Sequence, residues 1–74
     1  MAKLKGEVAR IERMAGENTR FTYVLLASGA VKMQYAERGG DKWFTRPWHR
    51  ATSQRMSLEQ FRLWLESVSK PVTL

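Results

Sequence analysis

Between Lys42 and Arg55 the chain carries Lys42, Arg46, Arg50 and Arg55 and no acidic residue. Trp43, Phe44, Trp48 and the one histidine, His49, are threaded among those charges. Cations interleaved with rings suit a polyanion that also offers flat faces. Ammonium and guanidinium groups pair with phosphates, and bases stack on aromatic side chains for about 1–3 kcal/mol each. A single strand of DNA or RNA has both features exposed at once. Lys42, Phe44, Arg46, Trp48, His49, Arg50 and Arg55 are therefore the candidate nucleic-acid-binding residues. In an extended backbone neighbouring side chains alternate, so Lys42, Phe44 and Arg46 share one face and Trp43 and Thr45 the other. Trp43 is expected to turn inward as core. Pro47 should end the strand at Arg46, leaving WHRATSQR (48–55) as a basic loop in which Thr52 and Ser53 can donate hydrogen bonds to phosphate.

Other chemistry lacks the residues it would need. One histidine, no cysteine and scattered carboxylates make neither a tetrahedral metal site nor a recognisable triad. The glycines sit in turn-like contexts and form no phosphate-cradling loop. The expectation is a binding protein, not an enzyme, with no cofactor and no metal.

The charge balance agrees with that. Thirteen Lys and Arg oppose seven Asp and Glu, for a net charge of +6, and +4 of it falls in fourteen residues. Such a surface attracts polyanions, although a solvated coat kept for solubility would look the same in composition. With 74 residues the chain has room for one domain, 1–74, and a modest core. It lacks the disulfides that staple many small domains, so a homodimer is expected as the way to hide more apolar surface. The run VLLA at 24–27 is too short to span a membrane, and Met1 to Lys5 lacks the apolar segment of a signal peptide. A cytoplasmic location without membrane association is expected.

The elements that must position the basic segment are marked by turn signals at AGEN (15–18), SG (28–29) and RGG (38–40). TRFTYVLLAS (19–28) places Phe21, Tyr23 and Leu25 on one face and Val24 and Leu26 on the other. AVKMQYAER (30–38) sets Val31, Met33 and Tyr35 against Lys32 and Gln34. The short SG link makes these two runs a hairpin, flanked by runs at about 3–14 and 42–46. The first of these is open to two readings. Leu4, Val8, Ile11 and Met14 fall at helical spacing, but Gly6 and the missing N-cap favour a strand paired across AGEN. Ser57 then opens a capping box with Gln60. Leu58, Phe61, Trp64, Leu65 and Val68 form the apolar stripe of a helix over about 57–69, opposite Glu59, Arg62 and Glu66. Lys70 and Pro71 are expected to end it. Leu63 and Trp64, near the edges of the stripe, are the candidate dimer contacts. The fold class expected is α+β: an antiparallel sheet of about four strands followed by one C-terminal helix (ββββα), as a dimer.

The segment RMSLEQFRLWLESV (55–68) resembles the strand-end-to-helix segment of the positive-cofactor-type transcriptional coactivators. In that family a basic loop runs into a Ser-Leu pair and then a Glu-Gln-aromatic helix. The resemblance implies a dimer that holds single-stranded DNA against a curved sheet. By it Lys42, Phe44, Arg46 and Arg50 would face DNA, and the helix would dimerise. Two alternatives remain open. Trp and Arg together also favour protein interfaces, so the chain could be a small phage- or plasmid-type adaptor or inhibitor that binds a host protein. An SH3-like barrel would keep the strands and demote the helix to a cap.

Overall fold

The computed structural model describes residues 4–69. Along the chain run β1 (Glu7–Met14), β2 (Thr19–Leu26), β3 (Val31–Gly39), β4 (Lys42–Thr45), β5 (His49–Arg50) and α1 (Leu58–Ser69). The sheet is an antiparallel meander in the order β1-β2-β3-β4, and the two-residue β5 also pairs with β3. The expected α+β fold, with four antiparallel strands and then a helix, is the fold observed. Among the described residues no helix is long and apolar enough to cross a membrane. Lys70 and Pro71, expected to end α1, lie outside the described residues.

β1 settles as a strand for a reason its spacing concealed. Its register against β2 shifts between Glu7 and Ala9, where an extra residue is accommodated. A bulge of this kind resets the two-residue alternation, so apolar residues three apart can occur in a strand. Val8 falls in that irregularity and is 53% exposed, while Ala9 and Ile11 pack toward the core. Pairing along the whole strong β2 strand satisfies backbone groups that a lone eight-residue helix would have left at its ends.

The register puts Phe21, Tyr23 and Leu25 of β2 opposite Tyr35, Met33 and Val31 of β3. α1 lies over part of that face, and Leu25, Val31, Phe61 and Leu65 form the buried core. Ala9, Ile11, Tyr23, Ala51, Met56 and Trp64 pack around it. The helix begins with the expected capping box. The Gln60 amide donates to Ser57 Oγ at 3.2 Å, and the Ser57 amide donates to Gln60 Oε1 at 2.9 Å. The ends of the apolar stripe, Leu58 and Val68, stay partly exposed at 39% and 45%.

The link from β5 to α1 is tied to the turn between β2 and β3. The Ala51 amide donates to the Val31 carbonyl, and the Met56 amide to the Gly29 carbonyl, each at 2.8 Å. Gly29 has φ +92°, and a Cβ there would lie 2.9 Å from Cβ of Arg55. Gly16 has a similar φ, +88°, but open space around it. A side chain at either glycine must adopt the left-handed region, at about 1–2 kcal/mol. Only Gly29→Ala also pushes on the segment leading into the helix. We expect Gly29→Ala to lower the thermal midpoint clearly more than Gly16→Ala, where about 1 kcal/mol corresponds to about 4–8 °C in a domain of this size. Equal shifts in a thermal melt would show that the loop is not held against this turn.

Candidate nucleic-acid interface

One helix covers one face of the sheet, yet residues on the other face are buried too. Val24, Ala36 and Thr22 are 0%, 2% and 4% exposed, and none of them belongs to the cluster beneath α1. The 42–50 segment brings two tryptophans to that face. Trp43 pairs in register with Arg38, so it shares this open face with Thr45, Ala36 and Arg20. The Arg20 guanidinium lies over the Trp43 ring, 4.8 Å from its centroid, and that of Arg10 lies 5.6 Å from the Trp48 centroid. Two arginine–tryptophan pairs thus span the open face, each joining a strand on the β1–β2 side to the β4–β5 edge. Contacts of this kind contribute about 0.5–1 kcal/mol where exposed and about 2 where water is excluded.

Arg10 is itself held in place. It grips Glu7 with two hydrogen bonds, Nη2 to Oε1 at 2.8 Å and Nε to Oε2 at 3.1 Å, and Glu7 Oε1 also accepts from the Leu4 amide. The Glu7 side chain is only 7% exposed. The hydrogen bond to Glu7 holds the Arg10 guanidinium above its ordinary pKa. Arg20 has less support: its Nε is buried without a partner.

Trp43 therefore corrects the sequence expectation. It does turn away from Phe44, as strand alternation requires, but it is half-buried on the face opposite the helix and forms no part of the core there. The segment after Pro47 is a second correction. It is not all loop, because His49 pairs with Met33 and Arg50 with Lys32 to make β5. Pro47 interrupts β4 without ending the ladder. The Arg46 amide still donates to the Tyr35 carbonyl at 2.8 Å, and Gln34 Nε2 donates to the Arg46 carbonyl at 3.1 Å.

As a result the basic segment is laid out along one strand. Lys42 stands beside Gly39, Phe44 beside Glu37, Arg46 beside Tyr35, Arg50 beside Lys32, and Arg55 next to Gly29. From Gly39 to Val31 that edge is about 26 Å long, at ~3.3 Å per residue. Lys42, Arg46, His49, Arg50 and Arg55 are all exposed. Phe44, at 60% exposure, is the one ring of this segment not committed to covering the open face. It lies over Gly39, where a Cβ would meet its Cε2 at 3.1 Å. Inward from Phe44, on the face that carries α1, Tyr35 and Phe21 extend the aromatic surface with their centroids 5.3 Å apart.

Arg50 and the loop after it are partly self-satisfied. Arg50 donates to the carbonyls of Thr52 and Ser53 at 3.0 and 3.2 Å, and Thr52 Oγ1 donates to the Gln54 carbonyl at 2.8 Å. The Thr52 hydroxyl, expected as a phosphate donor, is thus spent on shaping the loop. The two candidate dimer residues do not form one surface. Trp64 is half-buried, edge-on to Tyr23 at 5.4 Å and stacked near Phe61 at 6.4 Å. Leu63 is 61% exposed on a face shared with the exposed Glu59 and Glu66. Successive helical residues point about 100° apart, which separates the pair.

Sequence reasoning passed over Arg10, Arg20, Tyr35 and Glu37. A signal for the first two was present: Thr22, Val24 and Leu26 make an apolar row on the face that Lys32 and Gln34 mark as solvent-facing, and such a row needs cover. Tyr35 and Glu37 offered no comparable cue, since their placement beside β4 depends on cross-strand register. No family model, curated protein or solved structure matches this chain.

Two measurements check this geometry. Arg10→Ala removes two charge-assisted hydrogen bonds from the nearly buried Glu7 carboxylate and uncovers Trp48, so it should cost about 1.5–3 kcal/mol in urea unfolding. Arg20→Ala should cost less, and both variants should red-shift tryptophan emission. An Arg10 variant as stable as wild type would exclude the bridge. The Tyr35 hydroxyl donates to Glu37 Oε1, and that bond, with smaller effects of desolvation and the Glu37 charge, raises the Tyr35 pKa above its ordinary 10.0. The bonded phenol form is therefore favoured below the ordinary pKa, and its stabilisation is lost as pH climbs through the raised value. In an ultraviolet titration Glu37→Gln should bring one tyrosine back toward the ordinary range, and an unchanged curve would refute the contact.

Proposed function

We propose that this chain binds single-stranded nucleic acid along the β4–β5 edge, without catalysing a reaction. Lys42, Arg46 and Arg55 meet phosphates spaced along the strand, and Phe44 carries a stacked base. Arg50 adds its charge while holding the loop in shape. The observation that carries the reading is Phe44: a large ring left 60% exposed on an edge strand between two exposed cations. An exposed phenylalanine contributes nothing to the core, and a diffuse solubility coat has no use for one. Tyr35 and Phe21, on the same face, give further bases a place to stack, and the segment from Lys42 to Arg55 contains no acid to repel a backbone. A single strand fits better than a duplex, because stacking on a side chain needs bases that are not already stacked on one another. The earlier resemblance to single-strand-binding coactivators points the same way.

The roles of the aromatics now separate experimentally. Phe44→Ala should weaken binding of a labelled oligothymidine by about 1–3 kcal/mol in fluorescence anisotropy, with the salt dependence nearly unchanged. Arg46→Ala should weaken binding and flatten the slope of log affinity against log salt by about 0.7. Lys5→Ala, exposed just before β1 at the other end of the strand order from β4, should do little. Three equal, small losses would mean a diffuse coat, and a shallow salt slope with a large Phe44 effect would point instead to a protein partner.

A further inference from the structure

An acid sits in the middle of this basic edge. Glu37 is the register partner of Phe44, and the two line one shallow pocket with Arg38, Gly39, Thr45 and Arg46. A carboxylate there works against phosphate binding, so its presence in that position calls for another role. The Tyr35 hydroxyl donates to Oε1 of Glu37 and holds the group in a defined orientation. An ionised carboxylate accepts from several donors at once, so Oε2 and the remaining lone pairs of Oε1 are left for a ligand. Gly39, with no side chain, provides the floor on which the Phe44 ring lies.

We propose that this pocket is a base-reading subsite that prefers guanine. It deepens the single-strand reading and depends on it. A base stacked on Phe44 presents its Watson–Crick edge to the side of the pocket, as unpaired bases do in single-strand recognition. Guanine carries two adjacent donors on that edge, N1–H and N2–H2, which match the two oxygens of a carboxylate. Cytosine and adenine each offer one amino group there. Thymine and uracil offer a single N–H between two carbonyls, which a carboxylate repels. Arg46, on the pocket rim, is left for the adjoining phosphate.

The test compares a ten-nucleotide oligothymidine with the same strand carrying one central guanine, by anisotropy, on the intact chain. Wild type should bind the guanine strand about 5- to 150-fold more tightly, the discrimination of a good bidentate contact. Glu37→Gln replaces one acceptor oxygen with a donor. It should bring the two affinities within about threefold of each other, with the oligothymidine bound no more weakly than by wild type. Gly39 has no positive φ, so Gly39→Ala leaves the backbone acceptable and pushes only the Phe44 ring. It should weaken both strands with an unchanged circular dichroism spectrum. Equal binding of both strands by wild type, or guanine preference kept in Glu37→Gln, overturns the subsite and leaves the single-strand reading standing. If neither strand binds at all, both proposals fall together.

Discussion

Val24 and Leu25 are neighbours on β2, both buried, and in a strand neighbours face opposite ways. The sheet therefore has to be covered on both faces, and the described residues supply one helix to do it with. Most of the arrangement follows from that shortage. α1 takes the face of Leu25 and Val31. For the other face the described residues give no second layer, only side chains long enough to reach across. Tryptophan and arginine both reach far, and an arginine placed over a tryptophan ring covers apolar surface while keeping a charge in contact with water. Trp43 with Arg20 and Trp48 with Arg10 are such pairs, on the face where Thr22, Val24 and Ala36 are buried.

That solution sets what is left for binding. The crowding of aromatics at 42–50 suggests one surface with one purpose, but strand alternation divides them. Trp43 turns to the open face, Phe44 to the other, and Trp48, after the break at Pro47, reaches back under Arg10. The ring left without structural employment is Phe44. The cations are divided too. Arg50 is partly committed to its own loop, whereas Lys42, Arg46 and Arg55 remain exposed along the strand. The result is a line of charges on one edge, and a line is a shape that an extended polyanion can follow.

Several features were legible before any coordinates. The Ser57–Gln60 capping box, the hairpin through Ser28 and Gly29, and the alternation of β3 are local patterns, and local patterns survive folding unless packing opposes them. β1 was ambiguous because a bulge changed the phase of its apolar residues, and a bulge can be seen only against a partner strand. β5 was missed because proline normally ends a strand. Here the chain rejoins the β3 edge two residues later, where β3 still had unpaired groups to offer. Trp43 was placed in the core because alternation sets it opposite Lys42, Phe44 and Arg46, but which of the two faces becomes the core depended on where the helix would lie.

The sequence by itself determined the β2–β3 hairpin and the capped helix, and that the positive charge is concentrated in one acid-free segment. Both follow from residue type and short-range spacing, which the chain carries whatever its tertiary arrangement. Only the tertiary structure decided which aromatics are spent on covering the sheet and which stays exposed. It alone brought Arg10 and Arg20 to the tryptophans, and Glu37 and Tyr35 to Phe44. Those outcomes depend on cross-strand register and on which face the single helix covers. Both are set by how well the whole sheet buries its apolar surface, a quantity that no local stretch of residues contains.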